Sequence, residues 1–219
     1  MIPNFTSQAL LETALTHRSA LNEKDSPSRE SNERLEFLGD AVLELAATKF
    51  LYALFPNEQE GTLTAYRSAL VKTTSLAAVA ESIGLGQKLM MSKGEEATGG
   101  RSNPSLLADT LEAVVGALYL DQGFEAAEKF LAENLFITVD TILKEKLYKD
   151  PKSELQEKVQ AKGKDTPSYS VLSESGPDHN KEFTVSVSVG GVELARGSGK
   201  SKQQAQQAAA QAALVRLSA

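Results

Sequence analysis

The residues with the most chemical potential are carboxylates on two segments. In NERLEFLGDAVLELAATKFL, reading 100° per residue around a helix, Glu33, Glu36 and Asp40 fall within a sector of about 60°. Leu35, Phe37, Leu38, Val42, Leu43, Leu45 and Phe50 take most of the remaining circumference. That pattern predicts a helix buried nearly all round, with its acids at the edge of a core. Carboxylates gathered while leaving water repel one another and resist ionisation until a cation or a proton joins them. In SLLADTLEAVVGALYL, Asp109 and Glu112 share a second sector, with Ala113 and Gly116 beside them so that another helix can approach closely. Joining the two sectors gives four or five carboxylates and no nitrogen or sulfur ligand, which suits Mg²⁺ or Mn²⁺ better than zinc. The bland alternative is a set of solvated acids paired with Arg34, Arg67 or Arg101; Glu44, one turn on in the same sector, needs no role. His17, in LTHRSAL, is a conceivable general base, but a structural role is expected.

Caps and breakers outline the elements that must carry these residues. Asn32 to Leu54 reads as one helix closed by Pro56, and shorter helices follow at Leu63–Leu70 and Thr73–Ile83. SKGEEATGGRSN reads as a loop, after which Asn103 caps and Pro104 begins a helix to about Leu120. One or two more helices occupy Glu125–Lys146. Beyond Lys149-Asp150-Pro151 the pattern changes: a helix in SELQEKVQAK, strands in TPSYSVLSES, KEFTVSVSV and VELARGS, then an alanine-rich helix to the end. Gly190-Gly191 reads as a hairpin turn. The expected architecture is an all-α domain over 1–149 and a small α+β domain, α-β-β-β-α, over 150–219.

Composition narrows the class. With 219 residues, 41% hydrophobic and 24% charged, the chain is ordinary globular material for one large or two unequal domains. It has no cysteine and two histidines, which excludes a disulfide framework and a thiol nucleophile and nearly excludes a histidine-built zinc site. MIPNFTSQAL lacks the pattern of a signal peptide, and no apolar run approaches the roughly 20 residues of a membrane span. A cytoplasmic protein with no membrane partner and no small-molecule organic cofactor is expected. Residues 1–150 carry 14 Lys+Arg against 22 Asp+Glu, net −8, and residues 151–219 carry 9 against 7, net +2. Such a division suggests two domains with different partners.

ERLEFLGDAVLEL closely resembles the signature segment of the ribonuclease III family, and LADTLEAVVGALYLDQG resembles that family's second acidic helix. Residues 151–217 resemble a double-stranded-RNA-binding domain, with DPKSELQE, GPDHNKEF and GSGKSKQQAQQAAA at its three RNA-contacting regions. The resemblance implies a Mg²⁺-dependent endoribonuclease, with Mn²⁺ able to substitute. It would cleave double-stranded RNA to 5′-phosphate and 3′-hydroxyl ends with two-nucleotide 3′ overhangs, processing ribosomal and other RNA. By position, Glu36, Asp40, Asp109 and Glu112 match the family's metal-binding acids, and Glu33 and Glu60 match two further catalytic-site acids. It also implies a homodimer in which Phe37 plugs a pocket on the partner. For the second domain it implies RNA contacts from Ser153, Gln156, Glu157 and Gln160 on one helix face, from His179 and Asn180 between two strands, and from Lys200, Ser201 and Lys202 at the start of the last helix. The sequence departs from the common pattern at Gln203 and Gln206, where relatives often carry positive charge, so weaker RNA binding is expected. The competing function is a double-stranded-RNA-binding scaffold that does not cleave.

Overall fold

The computed structural model describes residues 2–23, 30–177 and 181–218. The chain divides into two compact units, Met1–Tyr148 and Lys149–Ala219.

The first unit is helical. Its long elements are α1 (Gln8–Ala14), α2 (Glu33–Leu54), α3 (Glu60–Leu70) and α4 (Thr73–Ser82). After the short α5 (Leu85–Lys88) and α6 (Lys93–Ala97) come α7 (Pro104–Gln122), α8 (Phe124–Asn134) and α9 (Val139–Lys144). Local chemistry sets many of the ends. Ser7 caps α1 by accepting from the Leu10 amide, while Asp121 holds the Thr6 and Ser7 amides at 2.7 and 2.8 Å. Asn103 caps α7 through the Ser105 amide, Pro104 supplies its first residue, and Gly123, at φ 86°, ends it. The segment expected to be a loop holds α6 and a 3₁₀ turn, Gly100–Ser102. Ser92 accounts for α6 by capping the Glu95 amide, and Arg101 pins the segment through Glu96 and the carbonyls of Gly86 and Leu89.

The core forms where α2 crosses α7, around Leu43, Leu51, Leu107, Leu111, Val114 and Leu118. Two glycines set the closeness of that crossing. A Cβ on Gly39 would overlap the Glu112 carbonyl, and one on Gly116 would overlap the Leu35 carbonyl. Helix α2 is not buried all round, contrary to its composition. Phe37, Leu45 and Tyr52 are 83%, 58% and 72% exposed and share one face.

The second unit runs α10 (Pro151–Gln160), β1 (Ser168–Ser175), β2 (Glu182–Val189), β3 (Val192–Gly199) and α11 (Lys202–Ser218). The strands form an antiparallel sheet in the order β1-β2-β3, with Tyr169 opposite Val187 and Val187 opposite Ala195. Gly190 and Gly191, at φ 57° and 79°, make the β2–β3 turn, a conformation that favours glycine. Alternate residues Val185, Val187 and Val189 face inward, and Leu155, Val159, Ala209, Ala213 and Leu214 close the core over them. The alanine face of α11 is what permits this packing: Gly197 of β3 has no room for a Cβ beside the Ala208–Ala209 backbone.

Candidate functional site

Because α2 and α7 meet glycine to glycine, the acids that flank those glycines are brought together. Glu36, Asp109 and Glu112 each present a carboxylate oxygen, and these atoms lie within 4.8 Å of one another. Asp40, one turn beyond Glu36, is exposed and adds its charge to both Glu36 and Glu112. Among the described residues no salt bridge reaches any of the four. Burial, and then the charges of Asp40, Asp109, Glu36 and Glu44, push the Glu112 carboxyl up to about 7. Burial, and then Asp109, Glu33 and Asp40, likewise raise Glu36. Burial raises Asp109, opposed by the nearby imidazole of His17 and by a backbone hydrogen bond. Half-buried carboxylates that lack a counter-charge and offer only oxygen form a donor set that fits a hard divalent cation.

The remaining sequence candidates separate. Glu33 sits one turn before Glu36, held by Ser31 Oγ at 2.8 Å and Arg18 at 3.5 Å, at the exposed edge of the cluster. Glu60 begins α3, accepts from Thr64 Oγ1 at 3.1 Å, and lines a cavity of about 410 Å³ with Thr48, Tyr52 and Arg67. Glu60 is not among the carboxylates that gather within 4.8 Å, and Thr48, which shares its cavity, lies eight residues beyond Asp40 along α2, about 12 Å at 1.5 Å per residue. Two of the three arginines that could have neutralised the cluster are engaged elsewhere: Arg67 pairs with Glu44 at 2.9 Å, and Arg101 with Glu96. His17 has the expected structural role, accepting from the Ser19 amide to cap the 3₁₀ turn Arg18–Asn22. Phe37 is exposed on the solvent side of α2.

In the second unit, Ser153, Gln156, Glu157 and Gln160 are exposed along one face of α10, opposite the buried Leu155 and Val159. Asp150 caps that helix through the Ser153 amide at 2.9 Å. Lys200, Ser201 and Lys202 are exposed at the start of α11, where Ser201 Oγ accepts from the Gln204 amide and Gln204 accepts from the Lys200 amide. His179 and Asn180 lie outside the described residues. Gln203 is exposed beside Lys202, but Gln206 is not equivalent to it. Gln206 is half-buried and accepts from Lys152 Nζ at 2.7 Å, joining α11 to α10. The sequence reading missed this clasp, and also Gly39; a glycine interrupting an apolar helix is the signal that could have revealed the latter.

Comparison with known proteins places both units. Residues 7–139 match the Ribonuclease-III-like family, and residues 151–217 match the double-stranded RNA binding motif. The chain is 49% identical over 213 residues to Ribonuclease 3 of Geobacillus sp. (strain WCH70), covering 97% of this chain and 86% of the relative. It is 47% identical over 209 residues to Ribonuclease 3 of Pelotomaculum thermopropionicum, covering 95% and 87%. The nuclease domain of ribonuclease III from Campylobacter jejuni, from a study of flexibility in the region involved in its dimer formation, superposes with a TM-score of 0.56 at 43% identity, covering 60% of this chain and 88% of that one.

Proposed function

The chain belongs to the ribonuclease III family and is a double-strand-specific endoribonuclease, and we propose that it cuts with Mg²⁺ held by Glu36, Asp40, Asp109 and Glu112. The observation that carries this is the convergence of three carboxylates from two helices within 4.8 Å, with no salt bridge to them among the described residues. Divalent ions bound there would acidify the attacking water and offset the negative charge of the phosphate in its transition state. The protein's part is to hold that charge in place. With its pKa raised to about 7, Glu112 would exchange a proton for a cation near neutral pH. Asp40 strengthens the local field from the solvent side. Glu33 orders the rim, and Glu60 serves the same chemistry only if a second protomer brings it near.

Two copies would supply two such sites, one per strand. Their offset would leave 5′-phosphate and 3′-hydroxyl ends with two-nucleotide 3′ overhangs. Phe37 would seat on the partner, which accounts for an exposed phenyl ring on the helix that carries the acids. The second unit would grip an A-form duplex by shape, through 2′-hydroxyls along α10 and phosphates at the start of α11. Among the described residues no helix is long and apolar enough to cross a membrane. A cytoplasmic role in processing ribosomal and other RNA is the setting we assign. Incubating the protein with long end-labelled duplex RNA, in Mg²⁺ and in chelator, tests the reading. Short duplexes with two-nucleotide overhangs should accumulate only with the metal. Retention of intact RNA in both conditions would instead identify a binding scaffold.

A further inference from the structure

We propose that Lys152 is a phosphate-contacting residue of the second unit: Gln206 and Tyr169 hold its ammonium at the seam between α10 and α11, where a duplex RNA would meet both helices. This rests on the reading of the α10 face and the start of α11 as the RNA-contacting surface. Lys152 stands in the first turn of α10, next to Ser153. Its Nζ donates to Gln206 Oε1 at 2.7 Å and lies 4.9 Å from the centre of the Tyr169 ring. Gln206 is four residues beyond Lys202, about 6 Å along α11. The ammonium is therefore fixed between the polar face of one helix and the basic start of the other.

Stability alone gives little reason for a cation at this point. The first turn of a helix carries the positive end of its dipole, which disfavours a lysine. Nor is Lys152 needed to join the two helices. Asp150 caps α10 through the Ser153 amide, and its other carboxylate oxygen accepts from Gln207 Nε2 at 3.3 Å. Tyr169 turns its ring to the ammonium while its hydroxyl is buried without a hydrogen-bond partner, so the ring face is what its position serves. Among the described residues no salt bridge reaches Lys152, whereas Lys149, Lys181 and Arg196 pair with Glu154, Glu174 and Glu193. An ammonium has three N–H groups; Gln206 takes one, and the others remain for phosphate oxygens. Gln206 brings no charge of its own, so the positive charge at this point of the seam comes from α10.

Binding of the full chain to duplex RNA in EDTA, where no divalent cation supports cleavage, is measured by fluorescence anisotropy across a salt series, with thermal melting alongside. Lys152→Gln keeps a donor for Gln206 but removes the charge. It should melt no lower than the parent, bind more weakly, and flatten the slope of log affinity against log salt by about one. Exchanging the pair, Lys152→Gln with Gln206→Lys, returns the charge to the same seam from the other helix and should restore the slope. An unchanged slope in Lys152→Gln, or a slope that stays flattened in the exchanged pair, overturns the assignment. Lys202→Gln is the control for the surface itself and should also flatten the slope. If it does not, the reading of that surface falls and this assignment with it. A flattened slope there beside an unchanged one in Lys152→Gln overturns the assignment alone.

Discussion

Glu112 is the most burdened carboxylate of the cluster, because burial and four neighbouring acids all disfavour its ionised form. Its pKa, ordinarily 4.5, is raised by them to about 7. The folded protein therefore binds more protons than the unfolded chain between about pH 4.5 and 7. On this group's account, stability is highest below pH 4.5 and declines as pH rises through about 7. A divalent cation reverses the sign, since it binds the ionised form. Melting curves across this range, with and without Mg²⁺, should diverge as pH rises, and the half-saturating metal concentration should fall. Glu112→Gln should remove that divergence. It should also cut single-turnover cleavage by about 10³-fold, because a neutral amide keeps the shape but lacks the anionic oxygen a hard cation needs. Duplex-RNA binding in gel-shift assays should be unaffected. Normal turnover by this variant would remove Glu112 from the mechanism. Glu33, exposed and already paired with Arg18, should matter less, and excess metal should compensate for its loss.

Helix α2 serves two masters, with one face against α7 and another facing solvent. Where it meets α7, Gly39 and Gly116 bring backbone against backbone, and this closeness is what gathers carboxylates from separate helices. Gly116→Ala would drive a methyl group into the Leu35 carbonyl and push the helices apart. Overpacking of this kind costs about 1–3 kcal/mol. The melting temperature should fall by several degrees, and the metal requirement should rise further than the lost stability explains. Parental values for both would mean that the crossing tolerates a wider gap. On the open face, Phe37, Leu45 and Tyr52 form an apolar stripe. If a second copy covers it, Phe37→Glu places an unpaired charge in that contact at a cost of about 2 kcal/mol or more. Sedimentation should then show monomers at concentrations where the parent is dimeric. A persistent dimer would leave Phe37 as an ordinary surface residue.

Charge is distributed so that each unit does a different part of the work. The first 150 residues carry 14 basic against 22 acidic groups, a balance that attracts cations and disfavours a polyanion; the rest carry 9 against 7. Affinity for a polyanion must then come from few phosphate contacts and should fade gently with salt. Gln203, exposed beside Lys202, is where one more cation would reach phosphate. Gln203→Lys should tighten duplex binding and steepen the slope of log affinity against log salt by about one. Gln206→Lys should behave differently. It would set a second cation against Lys152 where a hydrogen bond now joins α10 to α11, lowering the melting temperature without steepening the slope. An unchanged salt slope in Gln203→Lys would show that the start of α11 does not approach phosphate.

Local physics made much of this protein legible in advance. Helical periodicity alone set Glu36 and Asp40, and separately Asp109 and Glu112, on common faces, because side chains three and four residues apart on one helix have no other choice. The Asn103-Pro104 start of α7 and the Gly190-Gly191 turn were equally readable, since caps and positive-φ turns depend on one or two residues. What depended on contacts between distant residues was not readable. The spacing marked Gly116 as a place for another helix to approach, but did not announce that Gly39 would be what met it, that Gln206 would take the Lys152 amine, or that His17 would be tied to Ser92 through Ser19. Nor could composition tell that α2 would leave Phe37 exposed or that Glu60 would line a cavity with Thr48 and Arg67. Within a helix the geometry is given by the backbone, whereas the partner of a helix face is chosen by close packing across the whole core. That choice was left to the tertiary structure.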